Sequence, residues 1–184
     1  MQEQSVSEDS RLIALIRNGD SYYFAEIIKK YQSAIFSYLY RLTGSREVSQ
    51  DLAQDSFLSA YQAIIKNDAD ITLKPWLFRI ATNNAWKYCR RRKIIRFTSF
   101  EDTLDIRPPG PEGTAGDIDM KIAIERALLK VPLDQRTCML LHFVEGFKYS
   151  DIAAIVGVSD EAVRKRIARG SRKFQESYKQ EVSP

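Results

Sequence analysis

Apolar residues recur at helical spacing along almost the whole chain. Leu12, Leu15 and Ile16 mark a short amphipathic turn that Asn18-Gly19 can stop. Phe24, Ile27, Ile28, Tyr31, Ile35, Tyr38, Leu39 and Leu42 form an i, i+3/i+4 series ending at Gly44. Ser45 can cap the next helix, whose apolar face is Val48, Leu52, Ala53, Phe57, Ala60, Tyr61 and Ile64. Pro75 suits a first helical position, where no backbone N–H is needed, and Leu77, Ile80, Ala81, Ala85 and Tyr88 repeat helically after it. Further helices are expected over 122–129 and 134–144. No run alternates apolar and polar residues between turn signals as a strand would. The expected fold class is all-α.

The end of the chain carries the most specific pattern. Helices are expected over 149–156 and 160–174, joined by Gly157-Val158-Ser159. Gly157 can adopt the positive φ of a tight turn, and Ala153 is small where two helices cross closely. Ile152, Val156, Val158, Val163 and Ile167 supply a shared core, while Ser159 caps the second helix. This is the pattern of a helix-turn-helix, whose second helix enters the DNA major groove.

Charge divides the chain into modules. Lys+Arg minus Asp+Glu is 28 − 24, or +4, but the distribution matters more than the sum. Over 71–100 the charged residues are Lys74, Arg79, Lys87, Arg90, Arg91, Arg92, Lys93 and Arg96, with no acid among them. Over 101–119 the acids Glu101, Asp102, Asp105, Glu112, Asp117 and Asp119 face only Arg107. Within 105–117 lie three of the six prolines and three of the eight glycines, which cannot sustain a helix or a central strand. We therefore expect two small helical domains, 1–97 and 119–184, joined by a flexible acidic linker over 98–118.

Composition then excludes much chemistry. The 184 residues suffice for one ordinary domain or two small ones, and 44% hydrophobic residues permit a packed core. No stretch approaches the ~18 apolar residues of a membrane helix, and MQEQSVSEDS has no apolar core of a secretory signal. Cys89 and Cys138 give no disulfide framework and fit a reducing, cytoplasmic setting. His142 is the one histidine, so histidine-based acid–base catalysis has little material. Cys138 and His142 stand i, i+4, but with only Cys89 to join them a structural zinc site is not expected. We expect no catalysis, no cofactor and no metal.

Three faces carry candidate chemistry. Arg164, Lys165 and Arg169 can point away from Val163 and Ile167, where they neutralise phosphates or read guanine edges. Around Trp86–Arg96, aromatics mix with cations as on nucleic-acid surfaces; Trp76, Asn83, Asn84, Lys87, Arg90 and Arg91 lie off the buried stripe of that helix. Asp51, Gln54, Asp55 and Leu58 line the side opposite Leu52 and Phe57.

Taken together, DLAQDSFLSAYQAI at 51–64, KPWLFRIATNNAWKYCRRRK at 74–93 and ALLKVPLDQRTCMLLHFVEGFKYSDIAAIVGVSDEAVRKRIARGSRKF at 127–174 resemble a bacterial sigma factor of the sigma-70 family. The layout, with regions 2 and 4 alone, is similar to the extracytoplasmic-function (ECF) group. The resemblance implies a factor that binds core RNA polymerase, directs it to particular promoters and helps open the minus-ten region. It places Asp51, Gln54, Asp55 and Leu58 on the clamp coiled coil of the polymerase largest subunit, and the C-terminal domain on the flap of the second-largest subunit. It assigns Asn67 to Leu73 to a base-capturing loop, with Trp76, Asn83, Asn84, Lys87, Arg90 and Arg91 at the minus-ten element. Arg164, Lys165, Arg166, Ala168 and Arg169 would meet the minus-thirty-five element. An anti-sigma factor is a further partner the group implies. Leu77 stands where housekeeping factors carry a second tryptophan, which implies weaker melting and stricter promoter choice. A plain helix-turn-helix regulator is the leading alternative; it leaves the basic-aromatic helix and the acidic face unexplained.

Overall fold

The computed structural model describes residues 2–66, 70–96 and 115–182. These form α1 (Gln2–Arg17), α2 (Tyr23–Thr43), α3 (Arg46–Lys66), α4 (Leu73–Arg96), α5 (Ala115–Leu129), α6 (Leu133–Met139), α7 (Tyr149–Val156) and α8 (Asp160–Val182). A π-helical turn, Leu140–Val144, follows α6 directly. No strand occurs among the described residues, so the fold is all-α.

In the N-terminal half, α2 and α3 lie side by side with α1 and α4 packed on them. The expected stripe of α2 is buried, except that Ile28 is only half covered. Gly44 ends α2 at φ 72°, and its N–H donates to the Tyr40 carbonyl at 2.8 Å. Ser45 caps α3 by accepting the Val48 N–H at 3.4 Å. Helix α4 starts two residues before Pro75, which therefore sits inside the first turn rather than at its first position. That placement is tolerated because the first four N–H groups of a helix have no intrahelical partner. Its buried face includes Phe78 and Thr82, which the spacing of Leu77, Ala81 and Ala85 did not single out; the Thr82 hydroxyl lies 2.7 Å from Tyr38 Oη.

In the C-terminal half, α5 begins at Ala115, inside the segment expected to be linker; residues 98–114 of that segment lie outside the described residues. The helix expected over 134–144 changes character at Leu140, and α8 runs eight residues past 174. The α7–α8 pair matches the expected helix-turn-helix. Gly157 takes φ 70° and donates to Ala153 O at 2.9 Å, and Ser159 Oγ accepts the Ala162 N–H at 3.3 Å. Val163 and Ile167 are buried, and Gly170 meets Met139 so closely that a Cβ there would lie 2.5 Å from Sδ.

The two halves share one apolar cluster. Phe78 of α4 meets Phe147, which precedes α7, edge to face at 5.2 Å. The Arg136 guanidinium, 7% exposed, donates from Nη1 to Leu128 O at 3.1 Å and from Nη2 to Leu42 O at 3.0 Å, so it joins the C-terminal ends of α5 and α2. Burial pulls its pKa down to about 10, which still leaves it charged at neutral pH. Arg41 pairs with Glu125 at 3.5 Å, and Gly44 abuts Leu129, where a Cβ would lie 2.7 Å from Cδ1. Units this small bury little surface alone, which favours packing against a neighbour.

Candidate nucleic-acid and partner-binding surfaces

Helix α3 turns Leu52, Ser56, Phe57 and Ala60 into the protein, which leaves Asp51, Gln54, Asp55 and Leu58 exposed on its outer side. Leu58 is 55% exposed. It does not stand on a flat surface. Phe24, Ile28 and Phe36 of α2 face Ala53, Phe57 and Leu58 of α3 across an apolar groove of about 640 Å³, with Gln32, Gln50 and Gln54 at its margins. The α2 wall was missed from sequence because Ile28 looked like core and Phe36 lay off the stripe. Phe36, a large apolar residue off the α2 stripe, was the available signal. Carboxylates beside an apolar trough suit a partner helix with one greasy edge and flanking cations.

Along α4, Asn83, Lys87, Arg90 and Arg91 are exposed on the side away from Leu77 and Ala81. Two neighbours are placed differently. Asn84 donates from Nδ2 to Ser56 Oγ at 3.1 Å, and Ser56 in turn donates to Leu52 O at 2.6 Å, so Asn84 ties α4 to α3. Trp76 is half-buried against the apolar cluster rather than fully outside the stripe. Of the proposed base-capturing loop, residues 67–69 lie outside the described residues; Asp70 and Thr72 are exposed and Leu73 is buried in the first turn of α4.

On α8, Arg164, Lys165, Ala168 and Arg169 are exposed together. The Arg164 guanidinium lies over the Tyr149 ring at 5.9 Å, a cation–π contact that orients it. Lys165 pairs with Glu161 one turn earlier at 2.7 Å. Arg166 is different: its Nε sits 3.3 Å from the Asp134 carboxylate of α6, so it holds α8 against the C-terminal core.

A second apolar groove, about 490 Å³, lies between α5, the π-helical turn and α8, lined by Leu128, Leu140, Phe143, Val144 and Phe174, with Arg41 of α2 at its edge. The π-helical turn advances the side chains out of α-helical register, and Phe143 stands 62% exposed there. No residue-level pattern along the chain marks this groove. His142 Nδ1 lies 3.1 Å from Phe147 O and its ring rests 4.8 Å from Tyr149, while Cys138 is buried. Burial pushes both cysteine thiols up, against Arg136 and Arg92 at Cys89 and Arg166 at Cys138, so neither is primed as a nucleophile. Among the described residues no group of three His, Cys, Asp or Glu could hold a metal, and no helix is long and apolar enough to cross a membrane.

Comparison with known proteins identifies the family. Residues 27–94 match the family described as Sigma-70 region 2, and residues 121–174 match Sigma-70, region 4. The ECF RNA polymerase sigma factor SigM of Mycobacterium tuberculosis is 30% identical over 162 residues, covering 88% of this chain and 80% of that protein. This chain belongs to the ECF group of the sigma-70 family. The ECF sigma factor SigE of Mycolicibacterium smegmatis is also 30% identical over 154 residues; the match covers 82% of this chain and 60% of that longer protein. The sigma factor RpoE of Bartonella quintana, solved in complex with the anti-sigma factor NepR, superposes with a TM-score of 0.69 at 26% identity, over 88% of this chain and 98% of that one. For this sigma factor, the first family segment carries the α3 groove and the exposed face of α4, and the second carries the helix-turn-helix.

Proposed function

We propose that this sigma factor docks on core RNA polymerase chiefly through the α2–α3 groove and its acidic rim, then directs the enzyme to promoters whose two elements meet α4 and α8. The observation that carries this reading is the coincidence of three exposed faces, each of the right chemistry, with the two family segments in one chain. Asp51, Gln54, Asp55 and Leu58 contact the clamp coiled coil of the largest subunit. Asn83, Lys87, Arg90 and Arg91, with Trp76 at the near end, contact the opened minus-ten strand. The support is a row of cations and amides beside an aromatic, which suits a backbone and unstacked bases. Arg164, Lys165, Ala168 and Arg169 read the minus-thirty-five duplex from the major groove. Asn84 and Arg166 serve these faces by fixing helices, since the hydrogen-bonding groups expected to reach DNA are turned to Ser56 and Asp134.

The working units are 1–97 and 119–184, with the acidic segment between them crossing the polymerase surface. The second groove, around Phe143, takes the flap of the second-largest subunit. The factor works in the cytoplasm, has no catalytic step of its own, and has an anti-sigma antagonist among its partners. Run-off transcription with purified core polymerase and a panel of promoters tests the whole reading. Stimulation is expected only from particular promoters. A chain that binds duplex DNA unaided but never stimulates the core enzyme would instead be a plain helix-turn-helix regulator.

A further inference from the structure

Arg164 and Lys165 stand side by side on the exposed face of α8, yet the fold treats them differently. Lys165 is held within its own helix by Glu161, at 2.7 Å. Arg164 has no carboxylate partner among the described residues; its guanidinium lies instead over the ring of Tyr149, the first residue of α7. That ring is itself buttressed. The His142 ring lies 4.8 Å away, inclined by 48°. His142 Nδ1 is 3.1 Å from Phe147 O, and since a carbonyl only accepts, Nδ1 carries the proton of that bond. His142 and Tyr149 are half-buried, whereas Arg164 is exposed. The contacts therefore run from a backbone carbonyl just before α7, through two rings, to a cation on the surface of α8.

We propose that Tyr149 is a positioning residue for promoter read-out: its ring holds the Arg164 guanidinium in place, so discrimination at the base pair Arg164 meets depends on a side chain that itself reads no base. The inference rests on the reading that α8 meets the minus-thirty-five element through Arg164. An untethered arginine samples many rotamers and must give them up on binding. Its planar fork reads a guanine through O6 and N7 together, so one displacement weakens both hydrogen bonds. The ring attracts the cation through its π face and takes up no N–H donor, which leaves the fork available to a base. A carboxylate would compete for those donors, and Lys165 has one of its own committed to Glu161 in that way. The ring is the better tether for a residue that reads.

The test uses holoenzyme reconstituted from the full-length chain and core polymerase. The probe is a duplex promoter that responds in run-off transcription, with each base pair of its upstream element replaced in turn. Competition binding then gives the base preference at every position. Arg164→Ala should flatten that preference at one base pair or two adjacent ones. Tyr149→Leu should flatten it there and nowhere else, with about 2- to 5-fold weaker binding to the unaltered promoter. Tyr149→Phe keeps the ring and loses the hydroxyl, so it should behave as wild type. Pentafluorophenylalanine at position 149 keeps the ring's shape but reverses its quadrupole, and should repeat the leucine defect without disturbing the packing. Tyr149→Leu added to Arg164→Ala should cost nothing further. A loss spread evenly over all positions, a Tyr149→Phe protein as defective as Tyr149→Leu, or wild-type preferences in the fluorinated protein would each overturn the positioning role alone. Arg164→Ala with every preference unchanged would refute the α8 reading itself, and the positioning role with it.

Discussion

Leu58 offers a direct measure of the α2–α3 groove as a docking surface. Fully burying a leucine contributes about 1.5–3 kcal/mol. Leu58 keeps 55% of its surface exposed, so covering the remainder under a partner contributes about 0.8–1.6 kcal/mol. That corresponds to about 4- to 15-fold in Kd. Leu58→Ala should lose most of this, while folding stability should fall by about 1 kcal/mol at most, because under half of the side chain is covered in the free protein. Asp51→Lys with Asp55→Lys acts on the same helix by another route. Charge reversal there should slow association with core polymerase, and the defect should shrink with salt as the screening length falls from ~10 Å at 0.1 M to ~3 Å at 1 M. The Leu58→Ala defect should persist at high salt, since burial of apolar surface does not depend on that screening. Fluorescence titration of labelled protein with core polymerase at two salt concentrations separates the two. A Leu58→Ala protein with wild-type melting and wild-type affinity would refute the groove as the dock, and a defect that vanishes in salt would refute burial as its cause.

Three other outcomes follow from the remaining surfaces. Arg164→Ala or Arg169→Ala should weaken upstream-element binding by about 1–3 kcal/mol where the side chain contacts a base, measured by holoenzyme footprinting, whereas Arg166→Ala should chiefly lower the melting temperature through loss of the Asp134 pair. Asn83→Ala with Lys87→Ala should impair transcription from duplex promoters and recover partly on premelted templates; equal defects on both would place the fault elsewhere. Burial holds the Glu125 carboxyl above its ordinary value of 4.5, against Arg41 and then Arg136. A raised folded-state pKa means its stabilising contribution is complete below pH 4.5 and is lost as pH rises through the folded value. Glu125→Gln, fixed in the neutral form, should therefore gain on wild type in urea denaturation between pH 4.5 and pH 7, and a pH-independent difference between the two would contradict this.

The helix-turn-helix was legible because every constraint on it is local. Gly157, Ser159 and the apolar residues around them lie within one stretch of about fifteen residues, and each tests the others. The long stripe of α2 was legible for a similar reason, since a period near 3.6 identifies the face a helix buries. Periodicity is silent about a second face. Phe78 and Thr82 are buried because α4 also packs on α2 and α7, and nothing in the spacing of α4 encodes those neighbours. Polar side chains were harder still. Asn84 and Arg166 carry the right chemistry for DNA, but the fold supplies Ser56 and Asp134, each about thirty residues away in sequence, as nearer partners. The start of α5 was misplaced because its first turn contains Gly116 and follows a proline-rich run, both ordinary signs of a loop.

The seam between the halves can be weighed against the stability of a folded module. Among the described residues, the hydrogen bonds Lys74–Glu145, Trp86–Thr137 and Arg136–Leu42 at about 0.5–1.5 kcal/mol each, with the Phe78–Phe147 edge-to-face pair at about 0.5–1.5 kcal/mol beyond its buried area, give on the order of 2–6 kcal/mol. The exposed part of the Arg41–Glu125 pair adds little, because solvent screens it. Small domains are stable by about 5–15 kcal/mol, so the seam is comparable to, but below, the stability that keeps a module folded. Separation also exposes Phe78 and Phe147, which raises its cost, while release of the connecting segment lowers it through chain entropy. A partner binding with nanomolar affinity contributes about 12 kcal/mol. That exceeds the upper end of the seam's range about twofold, whereas a partner binding at millimolar affinity, about 4 kcal/mol, falls within it.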